Sequence, residues 1–405
     1  MATLRPFRAL RPQPEHAAAI SAVPYDVVNR EEAVALASGN PLSFLHVSRA
    51  EIDLAADTDP YADAVYERAS ANFAVLRQKM VQEEHPAVYF YRLRMGDHTQ
   101  TGLAACYSVE EYNSDIIKKH EKTRKEKEDD RTRHIIGLRA QTGPVFLTYR
   151  HAAAIDTVAE RVCAGAPLYD FVAPDQVGHT LWRADPDATA ALVAAVGQLP
   201  ALYIADGHHR AASAARAHAR FGHEAGADAE HAWFLAVAFP DNQTQILPYN
   251  RVVKDLAGRS PAAFLAALRE RFAVEPGGAS PARKGVCQML LGGRWYTVTL
   301  RAADAPPADD PIASLDVSLL QDGLLAPLLG ILDPRTDKRI DFVGGIRGTG
   351  ELERLAAGGT AAVAFSMFAT TVAELMAIAD AGAIMPPKST WFEPKLRDGV
   401  LNHLI

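Results

Sequence analysis

Cysteine is almost missing from this chain: Cys106, Cys163 and Cys287 are three residues in 405. The number is odd, the spacings are wide, and no pair has a metal-type separation. A disulfide framework and a zinc ribbon are both disfavoured on that ground. Long apolar runs are missing too, so no segment reads as a bilayer span. Residues 1–9 carry Arg5 and Arg8 and lack the apolar centre and cleavage pattern of a secretory leader, so the cytoplasm is the expected compartment. There is no excess of positive charge. The net charge is −7, which leaves no bulk field to hold nucleic acid. No internal repeat and no heptad seam occur. A dinucleotide fingerprint is also lacking. Residues 341–350 (DFVGGIRGTG) are glycine-rich, but the Gly-x-Gly-x-x-Gly spacing is absent, so turn chemistry is expected there.

What is present fits a folded protein. Hydrophobic residues make up 48% and charged residues 22%, within the range of globular chains. The length suits two or three domains. The expected organisation is an N-terminal α/β region at 1–95, a core at 96–257 and a C-terminal α+β region at 258–405. The shift near 258–261 and the Pro/Ala/Asp stretch at 303–311 mark the later breaks. Helical spacing appears at 31–37, 61–82, 153–164, 186–196, 211–220, 261–272, 315–329 and 372–381. Aromatic and β-branched runs predict strands at 87–93, 101–109, 143–149, 168–172, 179–183, 200–205, 231–239, 244–254, 286–291 and 295–300. The alternation is irregular, which predicts a mixed α/β (α+β) fold rather than a regular doubly wound sheet. Residues 118–133 (KKHEKTRKEKEDDRTR) have no apolar face and read as a solvated loop or exposed helix.

The clearest local unit is a short apolar strand, a polar turn and a strong helix former. The turn is Asp206-Gly207-His208-His209-Arg210. Unsatisfied N–H groups and the helix dipole at such a junction favour an anion. Gly207 permits close backbone approach, Arg210 can hold a phosphate through two parallel bonds, and Asp206 could hold Mg²⁺. The competing reading is an N-cap aspartate followed by surface histidines, with a zinc site weaker still for want of i, i+4 spacing. On spacing alone Glu121 is one acid among several in a charge run. Lys388-Ser389-Thr390 follows Pro386-Pro387 and is not a Walker loop, because Pro387 stands where a phosphate-cradling glycine belongs. It could bind a carboxylate or phosphate, or be an ordinary turn. Pro24-Tyr25-Asp26 and Leu247-Pro248-Tyr249-Asn250-Arg251 are candidate pocket linings or structural turns.

Seven segments carry a resemblance: VPYDVV (23–28), NPLSFLHV (40–47), KKHEKT (118–123), RTRHIIGLRAQTGPVF (131–146), YIADGHHRAASA (203–214), LPYNRVV (247–253) and MPPKSTWFEPKL (385–396). With them the chain resembles, over nearly its whole length, a large bacterial family long carried as a domain of unknown function, DUF1015. That family is linked to free serine kinases of the ParB/sulfiredoxin-like fold. The resemblance implies a ParB/sulfiredoxin-like catalytic core with additional N- and C-terminal α/β regions. It implies a catalytic pair, His120 and Glu121, with Glu121 as the base. Gly207, His208, His209 and Arg210 would bind the donor phosphates, joined by Arg131, Arg133 and His134, with Asp206 on the metal. Lys388, Ser389 and Thr390 would hold the substrate. The implied activity is phosphoryl transfer from ATP or ADP, with Mg²⁺, to the hydroxyl of free L-serine. The archaeal serine kinases are much shorter, and the first hundred or so residues have no counterpart in them, so donor and acceptor stay open; pyrophosphate is a third donor. A non-catalytic nucleotide-binding regulator and a phosphoserine phosphatase using the same site are the alternatives. Neither nucleic acid nor membrane is expected as a partner, and oligomeric state is not readable.

Overall fold

The computed structural model describes residues 1–222, 229–300 and 310–405. The stretch at 303–311 expected to be a linker lies mostly outside them. Two compact units are present. One comprises Met1–Thr244 with Pro394–Ile405, the other Gln245–Glu393. Both are mixtures of helices and sheets, as the irregular alternation predicts.

The first unit is built on nine strands: β1 Leu4–Arg5, β2 Tyr89–Met95, β3 His98–Ser108, β4 Ile117–Lys118, β5 Val145–Tyr149, β6 Tyr169–Val172, β7 Gly178–Arg183, β8 Leu202–Asp206 and β9 Trp233–Pro240. Their order across the sheet is β4-β8-β5-β9-β3-β2-β7-β6, with β1 extending the edge of the long β3. Gly96-Asp97 turns β2 into β3, as the hairpin signal predicts. Two pairings are parallel, β8 with β4 and β9 with β5, whereas β8 and β5 are antiparallel. That arrangement decides where the chemistry collects. Parallel neighbours deliver the segments that follow them to the same end of the sheet. The residues after Lys118, those after Asp206 and those before Val145 therefore share one end.

Three helices matter at that end: α1 Asp63–Leu76, α2 Lys125–Leu138 and α3 His208–Phe221. The alanines of α3 are the reason it seats closely. Ala211, Ala214 and Ala217 are buried in the main core with Ile204, Val145 and Phe234, and small side chains let the helix approach the sheet and α2. The charge run is mostly solvated, and its second half opens α2, but it is not exposed throughout. Within it Asp130 and Thr132 are buried, and His134, Ile135 and Leu138 just beyond it complete the buried face of α2. Spacing at i, i+4 and i+8 (130, 134, 138) puts three of these on one stripe, but only two of the five are apolar, so a hydrophobicity reading missed it. A second core packs Phe44, Leu45, Val65, Phe73 and Leu76 around Leu138.

The second unit holds a six-stranded antiparallel sheet, ordered Ala273–Pro276, Arg294–Thr299, Val286–Leu291, Val363–Ser366, Tyr249–Val253 and Ile340–Gly344. Its helices include Pro261–Arg269 and Val372–Asp380. Residues 341–350 depart from the turn reading. They finish a strand, make one 3-10 turn and open the helix Gly348–Ala357. Close packing explains two of the glycines: a Cβ on Gly344 would lie 2.8 Å from the Trp391 ring, and one on Gly345 2.6 Å from the Pro248 carbonyl oxygen.

Candidate active site

Strand β8 loses register against β5 between Ile204 and Asp206. Such irregularities re-aim a side chain at the end of a strand. Gly207 then adopts φ +93°, a left-handed conformation open to glycine at little cost, and serves as the N-cap of α3. A Cβ there would also come within 3.0 Å of Arg210 Nε. The sequence thus needs glycine twice over at this position, once for backbone and once for space.

The two histidines that follow hold the loop carrying Glu121. His208 Nε2 accepts the His120 backbone N–H at 3.4 Å. His209 Nε2 accepts the Arg124 backbone N–H at 3.0 Å. The loop of residues 120–124 is therefore pinned at both ends by neighbouring side chains of one helix. Accepting through Nε2 leaves each neutral ring its proton on Nδ1. His208 Nδ1 lies 3.8 Å from a Glu121 carboxylate oxygen; His208 is almost fully buried while the Glu121 side chain is half exposed. Burial, reinforced by His120, pushes the His208 imidazolium well below the ordinary histidine range, and burial also lowers His209. His120 stacks edge-on against His208 at 4.5 Å. Burial lowers it to about 4, opposed by the Ile204 backbone and the Asp206 carboxylate. A neutral His208 thus faces one exposed carboxylate, with the His120 ring packed against it.

Asp206 and Arg210 form the charged side of the site. Lys395 donates to Asp206 Oδ2 at 3.0 Å, and Arg210 Nη2 lies 3.8 Å from Oδ1. Burial alone would raise this carboxyl; Lys395 and Arg210 outweigh it and hold Asp206 well below the usual carboxylate range. Arg210 also donates to the Pro144 carbonyl and faces Asp26 at 4.0 Å. The residues present do not fit a resident metal. Asp206 already carries two cationic partners, and among the described residues no three His, Cys, Asp or Glu side chains converge on a metal position.

Behind Arg210 a pocket opens between α2, α3 and the sheet, lined by Tyr25, Arg131, His134, Thr142, Arg210 and Asp398 among others. Arg131 grips Asp130 through two nitrogens at 2.9 and 3.0 Å and lies over the Tyr25 ring at 4.1 Å. His134 Nε2 is bonded to the Val47 carbonyl oxygen at 3.0 Å. Arg133 stands elsewhere. It donates to the Tyr61 carbonyl at 2.8 Å, pairs with Asp63 and covers Tyr66, on the outer side of α2. Tyr25, flagged with Asp26 as a possible lining, is part of the pocket wall.

The third expected group lies in the second unit. Lys388 has φ +58° and is exposed. Its carbonyl accepts Arg251 Nη2 at 3.0 Å. Ser389 donates to the Pro386 carbonyl at 2.7 Å, and its own carbonyl accepts Thr370 Oγ1 at 2.9 Å. Arg251, in the Leu247–Arg251 motif, is thus the side chain that ties this turn down.

Lys395 and Asp398 are site residues that no motif in the sequence marks. Lys395 sits inside the last matching segment but follows a proline turn with no chemical spacing to mark it. Asp398 lies just past that segment. Arg397 between them is anchored by Asp175 and donates to His179 Nε2 at 3.2 Å.

The sequence profile of a protein family described as "Protein of unknown function (DUF1015)" matches residues 4–318. The chain belongs to the DUF1015 family. No curated protein matches it. Among solved structures, a free serine kinase variant in complex with AMP is 13% identical, with 71% of this chain and 89% of that one covered and a TM-score of 0.34. A conserved hypothetical protein from Pyrococcus furiosus is 14% identical, with 71% and 91% covered and a TM-score of 0.34. SbnI with a C-terminal truncation, from Staphylococcus aureus, is 11% identical, with 73% and 85% covered and a TM-score of 0.36. Likeness at this level assigns no activity to this DUF1015 member.

Proposed function

We propose that this DUF1015 protein is a small-molecule kinase that transfers a phosphoryl group from ATP or ADP to the hydroxyl of free L-serine, on a ParB/sulfiredoxin-like core. The observation that carries the reading is the juxtaposition of an exposed carboxylate, Glu121, with a helix N-terminus built for an anion, its loop held by His208 and His209. A base beside a phosphate cradle is the minimum equipment for phosphoryl transfer to an alcohol.

In the proposed step the acceptor hydroxyl loses its proton to Glu121 as its oxygen bonds to the terminal phosphorus. The bridging P–O bond on the far side breaks, and the nucleotide leaves one phosphate shorter. The α3 N-terminus and Arg210 offset charge on the transferring group. Asp206 works by aiming Lys395 and Arg210 toward that region. His208 orders Glu121 through the His120 backbone and presents its Nδ1 proton toward the carboxylate. Arg131 and His134 line the adjoining pocket, whereas Arg133 is engaged on the outside of α2 and has no part in the step.

The test is incubation with L-serine and, separately, ATP, ADP or pyrophosphate, with products read by phosphorus NMR. O-phosphoserine with one donor, absent for Glu121→Gln, is expected. No phosphorylated product across a panel of small alcohols sinks the reading. Phosphate release from phosphoserine without a nucleotide acceptor would replace it with a phosphatase.

A further inference from the structure

Asp398 is a buried carboxylate that is only partly held: the Tyr25 backbone bonds to it and Arg210 and Arg131 attract it from nearby. Only 3% of the residue is exposed, and its Oδ1 has no hydrogen-bond partner among the described residues. Backbone placement does not explain it. Asp398 N–H donates to the Ala22 carbonyl at 2.9 Å, and Ala22 N–H donates back at 3.2 Å. The main chain therefore docks this segment, and an amide side chain could still accept the one backbone bond that the Asp398 side chain takes, from Tyr25. A buried, incompletely paired charge is costly and is kept where it does something.

The local charge balance says what it lacks. Arg131 is matched by Asp130, and Lys395 by Asp206. That leaves Arg210 shared among Asp26, Asp206 and Asp398. The pocket wall is short of one positive charge. Gly143 lines the same pocket. A Cβ on Gly143 would sit 2.7 Å from Asp398 Oδ1 and 3.5 Å from Arg210 Cδ, so glycine at that position is what lets the carboxylate pack into the pocket wall.

We infer that Asp398 receives the ammonium group of a small primary amine, and that the pocket behind Arg210 selects an amino-bearing acceptor over its hydroxy-acid counterpart. The inference rests on the kinase reading for the acceptor's hydroxyl; the demand for a cation does not. It makes Asp398 a specificity-determining residue that aligns the acceptor by its nitrogen while the hydroxyl remains for Glu121.

Isothermal titration of the full chain with L-serine, ethanolamine, 3-hydroxypropionate and ATP tests it. Wild type should bind the two amines about tenfold or more tighter than 3-hydroxypropionate, the discrimination expected of one charge-assisted bond. Asp398→Asn, which keeps shape and should fold, should lose that preference and keep its ATP affinity. Gly143→Ala, whose methyl would push against the Asp398 carboxylate, should weaken the amines likewise. A preference that persists in Asp398→Asn overturns the inference, as does wild type with no preference or no amine binding. Loss of ATP affinity in Asp398→Asn with amine binding intact would make this a nucleobase contact and also overturn it. The kinase reading is judged separately. Amine binding lost in Asp398→Asn, with no phosphoryl transfer from any donor, leaves the inference and removes the kinase. Transfer to 3-hydroxypropionate as fast as to serine does the reverse.

Discussion

Replacing Asp398 with asparagine should stabilise the ligand-free protein, and by an amount that depends on pH. Burial, opposed by Arg210, lifts this carboxyl from 3.8 to about 7. The folded state therefore keeps its proton well after the unfolded chain has released it. Stability from that proton is fully present below about pH 4 and is lost as pH rises through about 7. The shift is about three units, and at about 1.4 kcal/mol per unit the loss approaches 4 kcal/mol above pH 8. Asparagine does not titrate. Urea unfolding of wild type and Asp398→Asn at matched pH values isolates the difference, because titrating groups remote from Asp398 cancel between them. The two proteins should be close near pH 4 and diverge steadily to pH 8, with the variant the more stable. A difference that is flat with pH, or a wild type that is the more stable at pH 8, would refute the reasoning that this carboxylate is buried without a full partner.

Three further outcomes follow from the same geometry. His209→Ala removes the acceptor for the Arg124 N–H and loosens the Glu121 loop; turnover should fall about tenfold with nucleotide Kd unchanged, and the loss should be non-additive with Glu121→Gln in a double-mutant cycle. Gly207→Ala forces a side chain onto φ +93° and toward Arg210, costing about 1–2 kcal/mol or more in denaturant titration. Lys395→Met removes the nearest cation from Asp206. In wild type the depressed Asp206 carboxyl adds stability above about pH 4 that is lost on acidification; the variant should show a shallower loss, read by melting temperature between pH 2 and pH 6.

The fold and the site were legible to different degrees. Most elements follow from local pattern. The strand–turn–helix unit at Leu202–Phe221 could be read because an apolar run, a glycine and an alanine-rich helix former stand in one continuous stretch. The partner segment could not. Glu121 reaches the site through a two-residue strand, Ile117–Lys118, whose parallel pairing with Leu202 and Tyr203 is a contact between distant parts of the chain with no local signal. Residues Lys125–Leu138 misled for a physical reason: their buried face is held by Asp130–Arg131 pairing and by His134, so burial occurs without apolar periodicity. The histidines also changed meaning. Residue type suggests donors to phosphate, whereas their Nε2 atoms accept backbone N–H groups of the Glu121 loop. Lys395 and Asp398 come from a segment that rejoins the first unit after about 150 intervening residues, a return that one sequence does not announce.

The central claim is that Glu121 is a base standing beside a phosphate site. Single-turnover phosphorylation of L-serine, measured together with nucleotide affinity for wild type and Glu121→Gln, tests it most directly. The account predicts a fall in rate of about 10²–10⁴-fold, the usual worth of a positioned base, with nucleotide Kd unchanged. A variant that turns over like wild type, or one whose rate falls only in step with lost nucleotide binding, would contradict it.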